Sequence, residues 1–169
     1  NLKGLSSGGN ANKIIIPSGQ TLDASNGLLT PADYVIQTAQ NYARGQVNSS
    51  STSYVATGLD IDFTPSSTSS KVLITASFDI DTRAASRQAY ATLYRDSTEL
   101  STIGDSGSLG LTNIYDAGDR NIVGMTVQFL DSPSSTSQLH YEVYFKTTGG
   151  EVTFCSQNCR QTITAMEIA

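Results

Sequence analysis

Chemistry has few places to reside in this chain. Cys155 and Cys159, in the run FCSQNCR, are its two cysteines, and His140 is its one histidine. A metal centre needs three or four ligands at suitable spacing, so these three side chains do not make one, and the thiols lack partners for a redox motif. The simpler reading is a local Cys155–Cys159 disulfide, which would remove about 2 kcal/mol of unfolded-chain entropy and suit an oxidising, extracellular setting. Two carboxylate pairs, Asp60/Asp62 in LDID and Asp79/Asp81 in FDID, have the two-residue spacing that places both acids on one face of a strand. Such a pair could hydrolyse a glycosidic bond or hold Ca²⁺. Against hydrolysis, the chain has no Trp to stack a sugar, and acids on a wet face lack the desolvation that makes a proton donor. No GxSxG run supports a serine nucleophile. The expectation is therefore no catalytic residue, no cofactor and no metal, with the acids solvated.

The composition narrows the partners. Among 169 residues, 38% are hydrophobic and only 15% charged, while Ser and Thr together number 43. The surface is thus hydroxyl-rich rather than ionic. Ten basic against fifteen acidic residues leave a net charge of −5, which offers no basic footprint for nucleic acid or anionic lipid. No apolar run nears the ~18 residues of a spanning helix, so membrane insertion is not expected either.

Two regions position whatever chemistry there is. Residues 1–33 alternate small apolar islands (Ile14, Ile15 and Ile16; Leu22; Leu28) with Gly, Asn, Ser and Pro. Islands this short bury themselves only against other chains, so the segment reads as the end of an intertwined stalk. From residue 34 to 169 the hydrophobic period is two. Val72, Ile74, Ala76, Phe78 and Ile80 alternate with Leu73, Thr75, Ser77, Asp79 and Asp81, and a one-residue slip would expose four large side chains at about 2 kcal/mol each. Similar rows run through 59–63, 89–93, 123–129 and 139–145. Nine strands are expected, near 34–42, 53–64, 70–81, 87–95, 98–103, 121–131, 138–148, 151–155 and 162–168. Many short strands joined by Ser, Pro and Gly turns mean an all-β fold, an antiparallel β-sandwich of jelly-roll type.

Strand parity then sorts the loops. Successive connections in an antiparallel sandwich fall alternately at its two ends. One end should collect 65–69, 96–97, 132–137 and 156–161, which brings together the repeated turns Pro65-Ser-Ser-Thr-Ser69 and Pro133-Ser-Ser-Thr-Ser137. The stalk should enter there. The other end should collect 43–52, 82–86, 104–120 and 149–150, with Arg83, Arg87, Asn113, Tyr115, Asp119 and Arg120. Planar donors, acceptors and one ring suit sugar hydroxyls, and loops on a rigid scaffold commonly carry recognition. Tyr90, Tyr94 and Tyr144 alternate with core residues, and an outward aromatic row suggests a subunit contact.

The runs NKIIIPSGQTLDASNGLLTPADYVIQ, STSYVATGLDIDFTPSSTSSKVLI, ATLYRDSTEL and FLDSPSSTSQLHYEVYFKT, with the ending ITAMEIA, resemble the C-terminal portion of tail-fibre-like virion proteins of phages, of the type infecting cyanobacteria and other marine bacteria. The resemblance implies an extracellular virion protein, a homotrimer whose heads bind a host surface glycan or outer-membrane component. Other virion tail proteins would be partners through a part preceding Asn1. It assigns no receptor residue to a position in this chain. The alternative expectation is a structural virion protein, a capsid decoration or fibre collar, with no receptor role.

Overall fold

The structure, a computed structural model, describes residues 18, 34–83, 86–101, 110–118, 120–156 and 159–169. The chain divides into two units, 1–32 and 33–169. The proposed stalk contacts Ile14, Ile15, Ile16, Leu22 and Leu28 lie outside the described residues, as does Asp119.

The described part of the second unit is all-β, two antiparallel sheets packed face to face. Eleven segments form them: β1 (Val35–Ala43), β2 (Val47–Ser49), β3 (Val55–Phe63), β4 (Lys71–Thr82), β5 (Arg87–Arg95), β6 (Thr98–Glu99), β7 (Thr112–Asp116), β8 (Asn121–Asp131), β9 (Leu139–Thr147), β10 (Val152–Phe154) and β11 (Gln161–Ile168). In the first sheet β4 is central. Its one edge pairs with β8, and its other edge with β11 along one half and β10 along the other; β1 and β2 continue outward in the same way. The second sheet runs β3, β9, β5, with β6 and β7 sharing the last edge. Each split pair follows one line, so the chain crosses the sandwich eight times, four in each sheet, which is the jelly-roll arrangement.

Alternation builds the interior. Val72, Ile74, Ala76, Phe78 and Ile80 of β4 face Leu59, Ile61 and Phe63 of β3, Ala89, Ala91 and Leu93 of β5, and Tyr141, Val143 and Phe145 of β9 within one buried cluster. Phe154 bridges the layers, its ring 5.0 Å from that of Phe78 and 5.8 Å from that of Phe145. Each such side chain stabilises the fold by about 1.5–3 kcal/mol, which secures the register read from the sequence. The strand expected near 34–42 is present as Val35–Ala43.

Four expectations need correction. Among the described residues of 98–103 only Thr98–Glu99 form strand, as β6, and 104–120 is not one far loop, since β7 lies within it and pairs with β5. Asn113 and Tyr115 therefore belong to a strand. The segment 156–161 is not an end connection either. It interrupts the line of β10 and β11 midway along β4, where the Asp79 carboxylate accepts hydrogen bonds from the Ser156 N–H and hydroxyl at 2.7 and 2.8 Å. A nine-strand count treats this side excursion as a turn, although the chain resumes the same line after it.

The stretch 43–52 is likewise not one far loop, since β2 lies within it and pairs with β10, while the other parity assignments among the described residues hold. At the near end Ala169 N–H bonds the Tyr34 carbonyl and Asp96 N–H the His140 carbonyl, at 3.1 and 2.7 Å. Both PSSTS turns lie at this end, as the ladders of β3, β4, β8 and β9 require. At the far end Arg83 N–H meets the Glu151 carbonyl, Ser86 N–H that of Asp116, and Thr147 N–H that of Ser51.

Candidate functional site

The far end is organised first around the buried carboxylate of Asp81. Asp81 lies near the last turn of β4's alternation, fully buried, and not on a wet face as its D-x-D pattern suggests. Arg83 Nε reaches its Oδ2 at 3.0 Å, and Arg120 grips it with Nε at 3.0 Å and Nη2 at 2.8 Å. Burial works to raise the Asp81 pKa, but the hydrogen bonds and charges of Arg120 and Arg83 outweigh it and hold the carboxyl below its ordinary value. Asp81 is thus a fixed anion that orients two guanidinium groups. Their side chains remain 52% and 39% exposed, so each presents unused N–H donors to solvent. Arg83 also approaches Glu151 Oε1 at 3.5 Å.

The neighbouring loop is set by Asp116, buried at the end of β7. Its carboxylate accepts from Thr82 Oγ1 at 3.0 Å and Gly118 N–H at 2.8 Å. This joins β7 to β4 and sets the approach of Arg120. Arg87 opens β5 opposite Asp116 and lies against Gly149. At φ +135° Gly149 adopts a conformation that side chains rarely take, and an added Cβ would stand 3.3 Å from Arg87 Nη1. Tyr115, 54% exposed, sits across from Gln88, and Asn113 across from Tyr90. The fold therefore gathers Arg83, Arg87, Tyr115 and Arg120 at one end, with Asn113 two residues further along β7. Asp116 belongs to the polar set that strand parity sends to this end, whereas the contribution of Glu151 was not read from the sequence. Glu151 follows a Gly-Gly turn that parity sends to the far end, which was signal enough to include it.

The outer face of the second sheet holds a different group. Register sets Asp62 against His140 and Asp60 against Glu142. His140 Nδ1 lies 2.8 Å from Asp62, and Nε2 lies 3.5 Å from Glu142 and 3.8 Å from Asp60. The hydrogen bond to Asp62 raises the His140 pKa; desolvation opposes this, and Glu142 and Asp60 reinforce it. Asp60 and Asp62 therefore stand as partners of the His140 ring on this exposed face.

The tyrosines on this face pack within the chain. Tyr94 and Tyr144 stack at 4.1 Å, Tyr54 meets Tyr94 edge-on at 6.1 Å, and Lys146 Nζ lies 4.3 Å over the Tyr54 ring. Tyr90 is only 7% exposed and donates to Gln88 Oε1. The outward row expected from alternation is thus largely covered by its own neighbours, because Tyr54 folds over the sheet.

Cys155 and Cys159 are separate thiols here, the first buried and the second exposed. The Cys155 thiol donates to the Cys159 carbonyl at 3.3 Å, and burial pushes its pKa up, which makes it an unreactive thiol. The excursion carrying them leaves a cleft of about 350 Å³ over the first sheet, lined in part by Ser77, Asp79, Thr126, Cys159 and Arg160. No group of His, Cys, Asp and Glu suited to a metal ion occurs among the described residues, and no helix there is long and apolar enough to cross a membrane.

Set beside known proteins, the chain matches no family model and no curated sequence.

Proposed function

We propose that this chain is the noncatalytic attachment head of a phage tail fibre, working as a homotrimer in the virion and binding a host-surface saccharide or outer-membrane component. One observation carries the reading. Tyr34, where the described sandwich begins, lies at the end that holds both PSSTS turns, while the half-exposed guanidinium groups held by Asp81 stand at the opposite end. A head mounted at one end and recognising at the other needs this polarity. Fixed planar donors beside an exposed ring suit the hydroxyls and carboxylates of a saccharide. Such contacts are individually weak, and simultaneous engagement of three heads multiplies them by about 10²–10⁴. The absence of catalysis is supported by the engagement of both D-x-D pairs: Asp81 is held ionised by two arginines, Asp79 is hydrogen-bonded to Ser156, and Asp60 and Asp62 surround His140.

The test is adhesion of the fluorescently labelled chain to intact host cells. Arg83→Ala, Arg87→Ala, Tyr115→Ala and Arg120→Ala should each lower cell-bound signal at least tenfold with the fold intact. Unaltered adhesion of all four would remove the far-end site. A parent chain that binds no host cell would favour a purely structural virion role, and shortening of purified host polysaccharide would make the protein a depolymerase instead.

A further inference from the structure

A glycine inside a strand marks the cleft over the first sheet. Gly124 lies within β8, directly across from Asp79 of β4. Glycine weakens a strand interior and is retained there where the backbone needs a positive φ or where another group approaches closely. The φ of Gly124 is not positive, and a Cβ added to it would meet nothing within 4 Å. Neither its own conformation nor crowding by the rest of the chain calls for it. What it supplies is bare floor in a cleft of about 350 Å³, a volume within the range of small-ligand sites, about 300–1,000 Å³.

Three kinds of hydrogen-bonding group line this cleft. Asp79 only accepts. Its Oδ1 takes both bonds from Ser156, while Oδ2 is buried with no donor among the described residues, an unmet acceptor of a kind that folded proteins rarely leave. Arg160 only donates. Its guanidinium rests 3.9 Å from the centroid of the exposed Tyr42 ring and meets no carboxylate among the described residues. Ser77 and Thr126, with hydroxyls 3.0 Å apart, do both: one O–H serves the pair and the other is left to donate elsewhere. A simple anion would suit Arg160 and be repelled by Asp79, and a simple cation would meet the reverse. A sugar hydroxyl donates and accepts through one oxygen, so a pyranose ring answers all three kinds of group, and its C–H face fits a floor that carries no side chain. We infer that the cleft is a monosaccharide-binding site over the first sheet, separate from the arginines at the far end.

Amide chemical-shift perturbation in the isotope-labelled full chain tests it, with the methyl pyranosides of glucose, galactose, mannose and glucuronic acid as probes. At least one should give saturable shifts, in the millimolar range, centred on Ser77, Gly124, Thr126 and Arg160. Gly124→Val fills the floor with a residue that strands favour. It should weaken this binding about tenfold or more and leave thermal melting at or above that of the parent. Arg160→Ala, at an exposed position, should weaken binding by a similar factor, and it decides the matter if Gly124→Val fails to fold. The cleft is overturned as a sugar site by the lack of saturable shifts with all four probes, by binding that survives either substitution in folded protein, or by equal binding of acetate, methylammonium or the zwitterion β-alanine. Saturable shifts centred on Arg83, Tyr115 and Arg120 instead would also overturn it, while leaving the far-end reading in place.

Discussion

The buried carboxylates at the near end of the sandwich and Asp81 at its far end are used in opposite ways. At the near end Glu167 is fully buried, accepts hydrogen bonds from the Ser66 N–H and hydroxyl at 2.8 and 2.7 Å and from Gln37 Nε2 at 2.6 Å, and so anchors the first PSSTS turn. Asp131, beside the second such turn, takes both bonds from Arg95 Nη1 and one from the Tyr141 hydroxyl, which burial and this carboxylate push to a higher pKa. These partners lie inward, and Arg95 is only 23% exposed. At the far end Asp81 is just as buried, yet its partners Arg83 and Arg120 stand half in solvent. The near end uses its anions to close turns; the far end uses Asp116 in the same way but Asp81 to aim cations outward. A buried acid alone therefore says little about function; the exposure of its partner decides.

Substitutions should separate the two ends. Glu167→Gln confronts three donors with an amide that accepts through one atom only, and should cost about 3 kcal/mol in denaturant unfolding. A loss as small as that of an exposed residue would mean that the turn does not depend on this acid. Acid titration should show the same group. Desolvation works to raise the Glu167 pKa, but bonds from Ser66 and Gln37 bring it down to about 2 against an ordinary 4.5. A depressed folded pKa means the contribution is fully present above pH 4.5 and is lost as pH falls towards 2. Unfolding followed over that range should be steeper in the parent than in Glu167→Gln.

Asp81→Asn should cost less, about 1–2 kcal/mol, because the freed guanidinium groups can turn to water. It should nonetheless lower host adhesion as much as removing an arginine does, and unchanged adhesion would show that the arginines need no fixed orientation. His140 gives a smaller effect of opposite sign in pH. Its raised folded pKa means that stabilisation is complete below the ordinary 6.5 and lost as pH rises through the higher folded value. Solvent screening at this half-exposed site reduces the change to a few tenths of a kcal/mol, to be read as a pH-dependent melting difference between the parent and His140→Gln. Tyr115→Ala, at a position 54% exposed, should leave melting nearly unchanged and reduce adhesion alone, which is the sharpest contrast with Glu167.

Much of this was legible in the residues. Period-two rows such as Val72 to Ile80 specify strands and the face each buries, because a one-residue slip would exchange the buried and exposed sets, and two identical turns at the same parity specify which loops share an end. The Cys155–Arg160 excursion was not legible, since a break inside one strand looks like a turn between two until the partner strand β4 is seen to run past it. Nor was the fate of the polar residues. Asp81 and Asp62 occupy equivalent places in D-x-D patterns, yet one is sealed beneath its neighbour Arg83 and the distant Arg120 and the other rests on His140 at the surface. Alternation is a property of neighbouring residues and survives in the sequence, whereas the burial of a charge depends on which distant side chains arrive to cover it, and only the folded sandwich decides that.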